Sequence, residues 1–239
     1  MDECKAELLS LTRSCSRYLL YLLDEGIEAV SVNPETNPIS KESKPTILDA
    51  AHALEHLRLT IGDCRRCKLH RSRSNLVFGE GSVEPDLVLV GEGPGFDEDR
   101  QGRPFVGAAG QLLNKIIKAM GLAREQIYIC NIVKCHPPKN RDPEQDEIEI
   151  CGHFLIEQLE ILKPKMILAL GRISGRFLTG SPPTTPISAL RNRIYSFRGI
   201  DTAVTYHPSA LLRNPAYRRP VWEDVQAVMK HLERPIPLL

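Results

Sequence analysis

Four cysteines stand at spacings that could close round a metal. Cys64 and Cys67 form a C-x-x-C pair, Cys135 follows, and Cys151 comes sixteen positions later. Four thiolates can complete a tetrahedral zinc site or hold one iron–sulfur cubane. Spacing leaves both open, beside the plainer reading of an accidental pair and two small buried thiols. The chain has seven cysteines in all, and an odd number without a recognisable secretory leader argues against a disulfide framework. Cys130, in the apolar run Ile127-Tyr128-Ile129-Cys130, is expected in a strand core; Cys4 and Cys15 have no partner at ligand spacing.

Three further segments could do chemistry. They are Gly91-Glu92-Gly93-Pro94-Gly95, the stretch from Asn131 to Cys135 with His136 after it, and His207-Pro208-Ser209-Ala210-Leu211-Leu212-Arg213. A glycine turn can cradle phosphate, but this one lacks both G-x-G-x-x-G spacing and a following Gly-Lys-Ser/Thr. His207 taken alone reads as a structural histidine.

Each segment follows an apolar run that reads as a buried strand: 86–90, 126–133 and 201–206, with 165–171 a fourth. Helices are expected between them, from Gln111 to Met120 and from Asp142, with Asp142 as cap, Pro143 in the first turn and Gln145 completing a capping box. An earlier helix runs from Thr46 toward Cys64, with a stripe of Leu48, Ala51, Leu54 and Leu57. Strands alternating with helices predict an α/β fold. The expected architecture is three layers, α/β/α, round a central, mostly parallel four-stranded sheet, whose function sits at the strand carboxyl ends. Residues 3–25 read as an amphipathic helix and 31–45 as a Pro- and Ser-rich linker, so the chain divides into an extension, 1–45, and a domain, 46–239.

The composition is that of an ordinary globular protein: 239 residues, 42% hydrophobic and 26% charged. No run approaches the ~20 apolar residues of a membrane span, and a cytoplasmic protein is expected. The 31 basic and 30 acidic residues nearly cancel, but not evenly. Residues 172–219 hold eight arginines against the one acid Asp201, which is either a solvated basic face or a phosphate-tracking patch.

Taken together and in order, these motifs resemble the family-4 uracil-DNA glycosylases, the iron–sulfur branch of that superfamily. The resemblance rests on Gly91 to Gly95, Gly102-Arg103-Pro104-Phe105-Val106-Gly107, Asn131 to Cys135, Leu170-Gly171, His207 to Pro215 and the order of the four cysteines. It covers residues 46–239. It implies a monomeric DNA-repair enzyme that flips uracil out of single- or double-stranded DNA and hydrolyses its N-glycosidic bond. Asn131 would read the base, Phe105 stack on it, and His207 hydrogen-bond O2 as charge develops there. Gly91, Gly93 and Glu98 would line the pocket, and Glu92 would position water. Leu211 or Leu212 would fill the hole left in the duplex, and Ser209 and Arg213 would hold phosphates. Cys64, Cys67, Cys135 and Cys151 would carry a structural 4Fe–4S cluster. A cross-linking relative carries a histidine nucleophile in a basic loop after the Leu-Gly strand end; 172–190 has no histidine, so that activity is not expected. The competing readings are a non-enzymatic zinc-binding DNA-contact module and a phosphate-binding α/β enzyme.

Overall fold

Apolar runs without a polar face must be covered on both sides, and the four expected here are. In chain order the strands are β1 (Glu80–Gly81), β2 (Leu87–Gly91), β3 (Tyr128–Asn131), β4 (Met166–Leu170), β5 (Tyr195–Phe197) and β6 (Ile200–Thr205), arranged β1-β3-β2-β4-β6-β5. The computed structural model describes residues 47–235. The expected helix at 3–25, the linker at 31–45 and Thr46 lie outside the described residues.

The inner four strands are parallel, with Gly91 opposite Asn131 and Leu170 opposite Thr205, so their carboxyl ends finish level. The short strands β1 and β5 are antiparallel additions at the two edges. They enlarge the expected four-stranded sheet to six. Neither is long enough to show a periodic pattern in the sequence.

Alternation along the strands sorts the core into two. Val88, Val90, Cys130, Ile132 and Ile167 face a layer containing α1 (Ile47–Ile61) and α4 (Gln145–Leu162). Leu87, Leu89, Ile129, Met166 and Leu168 face α3 (Ala108–Ala119) and α8 (Arg218–His231). The chain passes from β2 to β3 on one side and then to β4 and β6 on the other. The order therefore reverses between β2 and β4, the place where open α/β sheets form a crevice.

Short helices complete the rim: α2 (Phe96–Gln101), α5 (Arg172–Thr179), α6 (Ile187–Leu190) and α7 (Pro208–Arg213). The start of α4 differs from the sequence expectation. Its cap is Glu144, whose backbone N–H donates to Glu147 at 2.8 Å, while Asp142 and Pro143 precede the helix. Glu147 is fully buried and held by the Arg141 fork at 2.7 and 2.8 Å. That pairing sets the helix start and leaves Asp142 free to meet Arg172.

Candidate active site

A cavity of about 460 Å³ opens at the carboxyl ends of β2, β3 and β6. It brings together Glu92, Gly93, Glu98, Phe105, Asn131 and His207, residues from widely separated motifs. Asn131, the last residue of β3, is 1% exposed. Its Oδ1 is the one buried side-chain polar atom among the described residues that lacks a hydrogen-bond partner. A buried acceptor left unpaired costs of order 1–3 kcal/mol. Gly91 does not itself line the cavity. A Cβ there would lie 2.3 Å from Asn131 Oδ1 and 2.7 Å from the Phe105 ring, so glycine is what lets the Asn131 amide and the Phe105 ring stand where they do.

Behind Asn131 lies a buried polar network. The Lys134 Nζ, on a side chain 1% exposed, donates to the Asn131 carbonyl at 2.7 Å and to Gln158 Oε1 at 2.5 Å. Gln158 in turn donates to the Phe78 carbonyl at 2.9 Å and to the Tyr128 hydroxyl at 3.2 Å. Burial pulls the Lys134 ammonium below its ordinary pKa.

Phe105 has an unusual backbone, with φ of 51° at a buried non-glycine residue. Its loop is gripped from both sides. Glu98 accepts the Val106 and Gly107 N–H groups, each at 2.9 Å. Arg124 donates to the carbonyls of Pro104 and Phe105 and pairs with Glu80 at 2.7 Å. Glu98, expected as a pocket residue, is thus also the brace of the Phe105 loop. The Phe105 ring comes to 5.5 Å from the His207 ring, tilted 35°.

His207 caps α7 with its own side chain, an uncommon choice that sequence rules for caps do not flag. Its Nδ1 accepts the Ser209 N–H at 3.2 Å and lies 2.8 Å from the Ser209 hydroxyl. An accepting Nδ1 leaves the ring proton of a neutral imidazole on Nε2. Loss of water around the ring, helped by the charge of Arg213, lowers its pKa to about 4. The imidazole is therefore neutral near pH 7 and a donor through Nε2. The adjoining Glu92 goes the other way: burial, and then Asp142, push its carboxyl above the ordinary range.

The two leucines of α7 part company. Leu211 is 3% exposed and packs in the core with Leu113, Val221 and Val225, so it has no route into DNA. That corrects its candidacy as the wedge. Leu212 is 51% exposed and lines the cavity mouth. The arginine-rich segment also divides. Arg191 forks onto the buried Asp224 at 2.7 and 3.0 Å, and Arg172, Arg198 and Arg219 pair with Asp142, Glu160 and Glu223. Arg213 is exposed at the cavity mouth and forms no ion pair among the described residues. The sequence did not reveal Arg124, Lys134 or the Asp142–Arg172 pair. Arg124 and the Asp142–Arg172 pair act through contacts between distant segments, and Lys134, though it lies within the Asn131-to-Cys135 motif, is singled out only by its bond to the distant Gln158.

Phosphate binding at the glycine turn fits poorly. The turn leads into α2, whose first turn carries Asp97, Glu98 and Asp99. Carboxylates there oppose the anion that a helix start would otherwise attract.

The cysteines converge as well. Cys64, Cys67, Cys135 and Cys151 line one small cavity with Ile61, Leu76, Ile150 and Phe154. Three sulfurs receive N–H donors: Arg66 reaches Cys64 at 3.3 Å, Arg73 reaches Cys135 at 3.2 Å, and the Lys134 backbone reaches Cys151 at 3.3 Å. Burial raises the thiols of Cys67, Cys135 and Cys151, the last to about 12. As arranged, no group of three or more His, Cys, Asp or Glu among the described residues could hold a metal ion. Cys130 is fully buried in the core of β3 and takes no part in this cavity. Nor is any helix among the described residues long and apolar enough to cross a membrane.

The sequence profile of the uracil DNA glycosylase superfamily matches residues 78–226. The type-4 uracil-DNA glycosylase of Thermotoga maritima is 43% identical over 173 residues, covering 72% of this chain and 90% of that protein. The type-4 enzyme of Archaeoglobus fulgidus is 39% identical over 182 residues, 74% and 92% of the two chains. That of Sulfurisphaera tokodaii is 42% identical over 183 residues, 74% and 83%.

Proposed function

The chain belongs to the uracil DNA glycosylase superfamily, and from that premise we propose that its crevice excises uracil from DNA by hydrolysing the N-glycosidic bond. The observation that carries this reading is the orphaned Asn131 Oδ1 on the wall of the cavity. Uracil N3–H is a donor for it, and the Asn131 amide nitrogen is a donor for uracil O4. Cytosine offers an acceptor at N3 and a donor at C4, the inverse pattern, and would leave both amide atoms unpaired in a dry pocket.

Phe105 supplies the stacking surface. His207 Nε2–H donates to O2, and the bond strengthens as the departing base becomes an anion. A neutral donor suits this, because the imidazole keeps its proton and stabilises the growing charge. Glu92, between the base pocket and the Asp142–Arg172 pair, positions water for the sugar. In its ionised form it also faces the positive charge developing there. Leu212 takes the wedge position at the mouth, and Arg213 a phosphate. Ser209 orients His207 through Nδ1.

Cys64, Cys67, Cys135 and Cys151 would hold a 4Fe–4S cluster. Four thiols in one apolar cavity, three with N–H donors aimed at sulfur, suit an anionic thiolate group. When bound, its chemistry here would be structural: it would join the segment after α1 to the loop between β3 and α4 and to α4 itself, which carries Cys151, in a hydrolysis that moves no electrons. Iron and sulfide analysis should give about four of each per chain; stoichiometric zinc without iron would overturn the cluster. Release of free uracil from a defined oligonucleotide tests the activity itself, and an intact glycosidic bond after long incubation would defeat it.

A further inference from the structure

The crevice has a second chamber that the base-reading scheme does not use. At about 420 Å³ it nearly equals the base pocket. The two share Glu92, Asp142, His207, Ser209 and Arg213 as a common wall. Beyond that wall the second chamber has its own surfaces, over the ends of β4 and β6: Arg172, Tyr206, Asn214 and Tyr217.

Its aromatic side is a built stack. The rings of Tyr206 and Tyr217 lie 4.2 Å apart at 13°, and the Arg191 guanidinium lies 4.7 Å from the Tyr206 centroid. A ring and a guanidinium that close cannot share one face, so both faces of Tyr206 are taken. Tyr217 is the ring left to receive another. Arg213 borders the same space without an ion pair among the described residues, whereas the carboxylate of Asp142 is already matched by Arg172.

We infer that this chamber receives the nucleotide next to uracil in the same strand, its base against Tyr217 and its phosphate against Arg213. The inference rests on the uracil-excision reading and extends it from a base pocket to a dinucleotide site. The common wall holds the groups that act at the glycosidic bond, Glu92 and His207. The flipped sugar must stand there, and the strand leaving that sugar enters the second chamber directly. An aromatic platform beside an unpaired arginine is the chemistry of a single-stranded nucleotide subsite.

The test uses single-stranded oligonucleotides carrying uracil between intact neighbours, or with an abasic spacer on the 5′ or the 3′ side. On one side only, the spacer should lower kcat/KM of the wild-type enzyme by ~10-fold, the scale of one stacked base. Tyr217→Ala should abolish that sensitivity, and Tyr217→Phe should keep it. Wild type indifferent to both spacers, or Tyr217→Ala as sensitive as wild type, overturns the inference. Arg213→Gln, at an exposed position, should lower the slope of log affinity against log salt by about one phosphate contact; an unchanged slope overturns the phosphate half. A wild-type enzyme that releases no uracil from any of the substrates would defeat the excision reading instead.

Discussion

The base pocket and the cysteine cavity come within four residues of each other, at Asn131 and Cys135, yet they are prepared in opposite ways. In the pocket nearly every group already has its place. Glu98 and Arg124 hold the Phe105 loop, Ser209 fixes the His207 ring, and Lys134 holds the Asn131 backbone. One acceptor is left open, which suits a ligand that comes and goes. In the cysteine cavity three of the four thiols are held protonated by burial. The proposed cluster would have to displace those protons, and its binding free energy would then become folding free energy. The lesson is that a transient ligand calls for preorganised walls, whereas a resident group can itself be the organiser.

The comparison breaks most sharply at His207. His207→Ala removes a donor that counts mainly once charge has formed on uracil O2, so single-turnover cleavage should fall ~100-fold or more with DNA affinity nearly intact. Iron content should not change. A variant that cleaves normally would overturn the oxyanion role; one that loses iron would mean the two regions are not separable. Asn131→Asp belongs beside it: large general loss on uracil, with some gain on cytosine, whose amino group a carboxyl can accept. Wild-type uracil cleavage by that variant would mean Asn131 does not read the base.

The pH profile separates the two acid–base groups. The Glu92 carboxyl is raised by burial, so its ionised form is lost as pH falls through a value above the ordinary carboxylate range. His207, with a pKa of about 4, stays neutral until lower pH. The acid limb of single-turnover cleavage should therefore lie above the ordinary glutamate range and vanish in Glu92→Gln, which should be roughly 100-fold slower at the optimum, the low end of the range for a positioned base. A limb unchanged in Glu92→Gln would assign it elsewhere.

Arg124 tests whether preorganisation matters as argued. Its bonds to the Pro104 and Phe105 carbonyls hold a residue whose φ is 51°, a conformation costing of order 1–3 kcal/mol. Arg124→Met should raise KM about 10-fold, as the stacking ring loses its fixed position, with a smaller change in kcat. Arg124→Lys, one ammonium for two carbonyls and a carboxylate, should recover only part. Equal falls in activity and in folded fraction would reduce Arg124 to a structural residue.

What was legible in the sequence follows the same division. The four cysteines could be named as metal-ligand candidates from their spacing, whereas Asn131, His207 and Phe105 could be named only through the ordered set of motifs that carries the family resemblance, since each alone reads as structural. The parallel strands were legible because runs such as 86–90 have no polar face. The edge strands β1 and β5 were not, since strands of two and three residues carry no period. The start of α4 differs from the sequence expectation because the pairing of Arg141 with the buried Glu147 outweighs a good local cap signal at Asp142. The arginine run could not be sorted in advance. Only the fold shows that Arg191 holds Asp224 while Arg213 stays open to solvent.

The smallest effect is expected at Leu212, and its neighbour supplies the control. Leu212 stands exposed at the pocket mouth, so Leu212→Ala should leave folding unchanged and weaken the flipped complex by roughly 1–3 kcal/mol, within the few-kcal/mol cost of unstacking a base. The loss should be smaller on single-stranded DNA, which has less stack to fill. Leu211→Ala should do the reverse. It opens a cavity in the core beneath α7 and should lower stability by about 2–5 kcal/mol, with cleavage by the folded fraction much less affected. Single-turnover cleavage of both variants on single- and double-stranded substrates, beside their thermal unfolding, makes the comparison. Equal losses for Leu212→Ala on both substrates would remove it as the wedge. The exposed apolar side chain would then need another explanation, because burial at the neighbouring position already excludes Leu211.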